Sequence, residues 1–185
     1  MRAWIVALAA LVAACGQSGA GGETAEAPKM EDPAAQTEPA RGFEPANDQT
    51  RAATGVLNVT VATRLPEAVA ADRGDETSTE TLTLTGANGV VVEATLAGVV
   101  EPSVQVQGQP LRALMGLTVE ASQTLVYRVA RAEGASLCGA NAATHIVVWE
   151  PSSFNDPSYK LLPVSGGAPG EAGARPCAAL EDRRS

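Results

Sequence analysis

From residue 54 onward, apolar side chains recur at every second position, and this alternation restricts the chain to β structure. Leu57, Val59 and Val61 alternate with Asn58, Thr60 and Ala62, the pattern of a strand with one face buried. Leu82 and Leu84 lie between threonines, Asn88-Gly89 follows, and residues 90–100 are again rich in valine. Asn-Gly between two such runs is the strongest local hairpin signal a sequence carries. Val90, Val92, Ala94 and Leu96 then share one face.

Further strands are expected at 124–131, 145–150 and 159–164, with Leu125, Tyr127 and Val129 on one face of the first. Residues 117–121 pair with 124–131 in a second expected hairpin around Ser122-Gln123. Residues 65–74 read as a short helix with Pro66 at its first position. Pro110 to Gly116 reads as one or two helical turns whose Leu111, Leu114 and Met115 dock as a lid or plug. With no strand–helix alternation to support a parallel sheet, the expected fold is all-β. It is a small antiparallel β-sandwich or barrel of about eight strands with one or two short helical turns.

The first residues carry a different message. Arg2 is followed by an apolar run from Ala3 to Val12, too short to span a bilayer as a helix of about 20 residues. A basic start, an apolar run and small residues read as a secretory signal. The run ends in Val12-Ala13-Ala14-Cys15, which resembles the lipobox of bacterial lipoproteins. The resemblance implies a signal peptide over 1–14 and a Cys15 that becomes the first mature residue, carrying acyl chains. Several such chains make desorption from a membrane negligible. In enteric-type lipoproteins an Asp after the cysteine favours the inner membrane, so Gly16 implies the outer membrane, with the protein facing the periplasm. Three cysteines are present. Lipidation of Cys15 leaves Cys138 and Cys177 to pair in an oxidising compartment.

Residues 15–53 are rich in Gly, Ala, Glu, Thr, Gln and Pro, with Met30 and Phe43 the only large apolar side chains. Such a segment buries too little apolar area to offset its chain entropy, so it is expected to be a disordered tether to a domain over 54–185. After Cys177, the charged run Glu181-Asp182-Arg183-Arg184 reads as a tail beyond the last ordered point.

The formal net charge of −8 opposes nucleic-acid binding, which depends on Lys and Arg neutralising phosphates. His145 is the only histidine. Ser136, Ser152, Ser153 and Ser165 are available as nucleophiles, but none sits in a Gly-x-Ser-x-Gly motif. One histidine and two paired cysteines do not make a usual zinc site, and Asp72, Asp75 and Glu76 do not follow a calcium-loop pattern. No cofactor is implied.

The domain resembles uncharacterised envelope lipoproteins; the Ser-Gly-x-x-Tyr signature of lysozyme-inhibiting lipoproteins is absent. The expectation is therefore a non-enzymatic envelope module that binds another envelope component through a β edge or loop surface. A small hydrolase using His145 with a serine, or an apolar small-ligand carrier, are the alternatives.

Overall fold

A computed structural model describes residues 36–64, 78–118, 121, 123–152 and 155–185. The signal peptide, Cys15, the tether up to residue 35, the short helix expected over 65–74, Asp72, Asp75, Glu76, Ser153 and Phe154 all lie outside these residues.

The architecture is an eight-stranded antiparallel barrel. The strands are β1 (Gln36–Thr37), β2 (Arg41–Pro45), β3 (Leu57–Arg64), β4 (Thr79–Gly86), β5 (Val91–Val100), β6 (Gln105–Val106), β7 (Gln109–Pro110), β8 (Thr124–Glu133), β9 (His145–Trp149), β10 (Ser158–Ser165), β11 (Arg175–Pro176) and β12 (Leu180–Arg184). Around the barrel the staves run β2, β3, β4, β5, β8, β9, β10, β12, an up-and-down order in which each stave pairs with the next one in the chain. The ring closes where Asp182 of β12 lies opposite Pro45 of β2. The short β1 and β11 extend the first and last staves along β3 and β10. Between barrel and sandwich, closure decides for the barrel, and it removes the long free edge that strand addition needs.

Period-two alternation sends one residue in two to the interior. Phe43, Leu57, Val59, Leu84, Tyr159 and Leu161 are at most 1% exposed and belong to the cluster that fills the barrel. Val90, Val92 and Ala94 join it, with Leu96 packed against it, as the alternation implies. Outward positions on β3, β4 and β5 include Asn58, Thr60, Thr81, Thr83, Thr85 and Glu93, with Ala62 and Val91 among them. On these three staves, apolar inside and mostly polar outside is the reverse of a membrane-spanning barrel.

The Asn88-Gly89 turn forms between β4 and β5, with Gly89 at φ 90°. A second hairpin joins β6 and β7 through Gln107-Gly108, both at positive φ (51° and 77°), the geometry of a two-residue primed turn. Just beyond, Leu111–Leu114 forms a single helical turn, α2. Leu111 and Met115 do dock, but on the outside of the barrel, not in its mouth. They cover Val126, Val147, Trp149 and Leu162, the outward face of β8, β9 and β10. The core is thus split into a barrel interior and an outer layer. The lysine of β10, Lys160, donates to the carbonyl oxygens of Met115 (3.2 Å) and Gly116 (2.9 Å) and ties the end of this turn to the barrel.

Three expectations are corrected. The tether does not extend to residue 53. Its last part supplies β2 and the helix α1 (Asp48–Ala53), because Phe43 is fully buried against Tyr159, ring centroids 4.4 Å apart. Asn47 caps α1, its side chain accepting from the Thr50 amide. Of the residues expected to form a hairpin strand over 117–121, the described ones (117, 118 and 121) belong to no strand, and β8 pairs with β5 and β9. The charged C-terminus is β12, the closing stave, with Leu180 and Asp182 pointing inward. Two alternating buried positions sufficed once β10 and β2 flanked them.

Candidate functional site

The two ends of the barrel differ. At one end α1 crosses the opening: Ala53 packs against the interior cluster, and the Thr50 hydroxyl accepts the amide of Glu181 at 2.9 Å. Leu137 and Ala143, from the loop between β8 and β9, pack there too. The same loop holds Cys138, joined to Cys177 with α-carbons 5.1 Å apart. The expected pair therefore forms, and it fastens the end that is already plugged.

The other end is open among the described residues. A cavity of about 220 Å³ enters it, between the start of β2, the end of β3, the start of β4, the start of β8, the end of β9 and the start of β10. Its walls are Val61, Leu82, Leu125 and Val148, with the rings of Tyr127 and Tyr159. Its polar groups are Arg41, Gln123 and Glu150.

Glu150 is the hub of the rim. Both its oxygens accept from Nη1 of Arg41, at 2.7 and 2.8 Å, and Oε1 also accepts from Arg184. Burial opposes the charge of Arg41, but its hydrogen bond to Glu150 and the carboxylate charge outweigh this, and the pKa is raised. Across the barrel, the Tyr127 hydroxyl donates to Glu80. Burial first, and then Glu80, push the Tyr127 pKa up. Burial also raises that of Tyr159, with Arg41 acting the other way. Both phenols stay protonated at neutral pH.

Two guanidinium groups thus share one carboxylate. Arg41 uses a single nitrogen for both bonds to Glu150, leaving its other guanidinium donors without a hydrogen bond among the described residues. The Tyr159 hydroxyl likewise makes none there. Such an arrangement offers donors over an apolar floor and holds no activated nucleophile. Nothing in the sequence pattern singled out these residues, since Arg41 and Arg184 lie in segments that read as tether and tail.

His145 sits elsewhere. Interior positions of β9 are Ile146 and Val148, so His145 faces outward with Val147 and Trp149. Its Nδ1 is 3.1 Å from the Thr144 hydroxyl. Burial lowers its pKa, the backbone of Gly167 opposing and Arg128 assisting. The serines available as nucleophiles have other partners or positions. Ser136 donates to the Asn141 carbonyl at 2.6 Å, Ser165 is buried at the end of β10, and Ser152 is exposed. Among the described residues no three His, Cys, Asp or Glu side chains are grouped to hold a metal ion, and no helix is long and apolar enough to cross a membrane.

Comparison with protein-family models, with curated proteins and with solved structures gives no match.

Proposed function

We propose that this protein is a non-enzymatic binding module of the bacterial envelope. It is held to the outer membrane by the lipid on Cys15, faces the periplasm, and captures its ligand or partner in the open end of the barrel. The observation that carries this reading is the asymmetry of the barrel. One end is plugged by α1 and fastened by a disulfide; the other keeps a cavity with donors at its rim. Small-molecule sites are concave and mostly apolar, with a few converging polar groups. The lipobox resemblance supports the anchor, and the polar outer face of β3 to β5 suits an aqueous compartment.

The hydrolase alternative gains nothing from His145, whose ring bonds Thr144 and the backbone of Gly167 and, among the described residues, no serine. An apolar small-ligand carrier is limited by about 220 Å³ to ligands below drug size, whose sites take roughly 300 Å³ or more, and Arg41, Gln123 and Glu150 make the cavity less than purely apolar.

Rescue of a deletion strain tests the reading. Arg41→Gln is expected to fail to restore the wild-type envelope phenotype, and His145→Ala is expected to restore it. The opposite pattern, with both variants folded and equally abundant, would promote the enzyme hypothesis.

A further inference from the structure

We infer that Asn88 is a self-modification site. Its side chain staples the plug helix α1 to the β4–β5 turn, and its deamidation at the Asn88-Gly89 bond unfastens that helix.

The staple is built from one amide. Asn88 Nδ2 donates to the carbonyl oxygens of Ala52 (3.2 Å) and Ala53 (2.5 Å), which belong to the last turn of α1, where a helix leaves its carbonyls without internal partners. Asn88 Oδ1 accepts from the Val90 amide at 3.3 Å. The turn lies so close to the helix end that a β-carbon on Gly86 would stand 2.5 Å from the Thr54 carbonyl oxygen. The helix depends on such ties. It is six residues long, too short to hold by itself. Ala53 packs against the interior cluster and Thr50 is buried, but Asp48, Gln49, Arg51 and Ala52 are exposed. An element with so few buried apolar contacts opens locally at low cost.

The same asparagine carries the chemistry that breaks the staple. Asn88 and Gly89 are both exposed, and asparagine is thermolabile. Gly89 has no side chain to shield its amide nitrogen, and its backbone turns freely. That nitrogen attacks Cγ of Asn88. The new C–N bond closes a succinimide ring, the Cγ–Nδ2 bond breaks, and Nδ2 leaves as ammonia with the Gly89 amide proton. Water then opens the ring at either carbonyl, releasing a proton and leaving aspartate or isoaspartate. While α1 is seated, both reacting groups are engaged. The Gly89 amide donates to the Gly86 carbonyl at 3.0 Å, and the Asn88 amide is held by α1. The reaction therefore waits for the staple to open.

The product does not re-form the staple. An ionised carboxylate accepts and does not donate, and here it meets carbonyl oxygens at the negative end of a helix. Each conversion thus loosens α1 for good, at the end of the barrel away from the cavity.

The test holds the full-length mature protein at mildly alkaline pH, native and unfolded in guanidinium, and follows each asparagine by peptide mapping. Asn88 is expected to convert in the native protein ahead of Asn47, Asn58 and Asn141, which precede residues with side chains, and more slowly than in the unfolded chain. The converted fraction is separated by its extra negative charge on ion exchange. It is expected to lose about 10-fold in hydrogen-exchange protection at the amides of Arg51, Thr54 and Gly55, which bond within α1, with the β3 amides unchanged. Asn88→Ala removes the donors, and Asn88→Asp adds the charge as well. Asn88→Asp should therefore lose more protection at pH 7, and the gap should close near pH 3, where the carboxyl is protonated. Should Asn88→Asp not fold, the converted fraction of the wild type decides. Four results would each overturn the inference: Asn88 intact in the native protein after the unfolded chain has converted, equal rates in the two, undiminished protection of α1 in the converted fraction, or equal losses in the two variants at pH 7.

Discussion

Asp182 lies opposite Tyr159 in the β10–β12 ladder, fully buried, and neither of its carboxylate oxygens has a hydrogen-bond partner among the described residues. The pair bridges β10 and the closing stave β12, beside the Phe43–Tyr159 stack. Burial first, with the nearby charge of Glu181, raises the Asp182 pKa from 3.8 to about 7. A buried carboxyl without partners favours its neutral form.

The consequence is a pH dependence of definite sign. The folded state keeps the Asp182 proton up to about pH 7, whereas the unfolded chain releases it near 3.8. The stability this group contributes is complete below the unfolded value and is lost as pH rises through the folded one, an order of 4 kcal/mol in all. Asp182→Asn should match the wild type in melting temperature at pH 4 and exceed it by several degrees at pH 8. Thermal melts of both proteins across that range check it, and parallel profiles would contradict the burial of an unpartnered carboxyl.

Reduction should weaken the plugged end without opening the site. Cys138 and Cys177 are 39 positions apart, and closing a loop of that size is worth about 4 kcal/mol in the chain-entropy model, an upper value. A Cys138→Ala/Cys177→Ala double variant should melt well below the wild type and keep its crosslinks at the open end. Non-reducing peptide mapping of protein from the envelope should recover the two cysteines as one linked pair.

The segment around β2 is part of the barrel, so Phe43→Ala should cost about 3–5 kcal/mol, the usual range for emptying a buried aromatic site. Chemical denaturation measures it. A loss under 1 kcal/mol would mean that residues 41–45 are dispensable and that the domain begins nearer residue 54.

Cys15→Ser should abolish lipidation and release the protein from the membrane or leave it unprocessed. Flotation and intact mass test this. A wild-type protein that floats without added acyl mass would refute the anchor.

The alternating core of residues 57–61, 82–96, 125–129 and 145–149 was legible because buried and exposed faces leave a period of two in the sequence. The turn at Asn88-Gly89 was legible because its residues tolerate positive φ. The staves that close the ring were not. β2 has one large apolar residue, Phe43, among Arg41, Gly42, Glu44 and Pro45, and β12 buries a carboxyl. Five residues hold too few alternations to register, and their burial depends on neighbours distant in sequence. The open end was illegible for the same reason: Arg41, Glu150 and Arg184 meet only because β2, β9, β10 and β12 are adjacent in the closed barrel. The cysteine pair was legible because the lipobox resemblance sets Cys15 aside, and of three cysteines that leaves two.

The central claim is that the open end of the barrel is where this protein makes its contacts. Photo-crosslinking in living cells tests it most directly, with a benzophenone amino acid placed at Gln123 on the open end or at Val56, exposed just before β3 at the plugged end. A discrete adduct from position 123, lost with Arg41→Gln and absent from position 56, is the predicted result. Adducts from position 56 alone, or adducts from 123 that persist unchanged in Arg41→Gln, would contradict it.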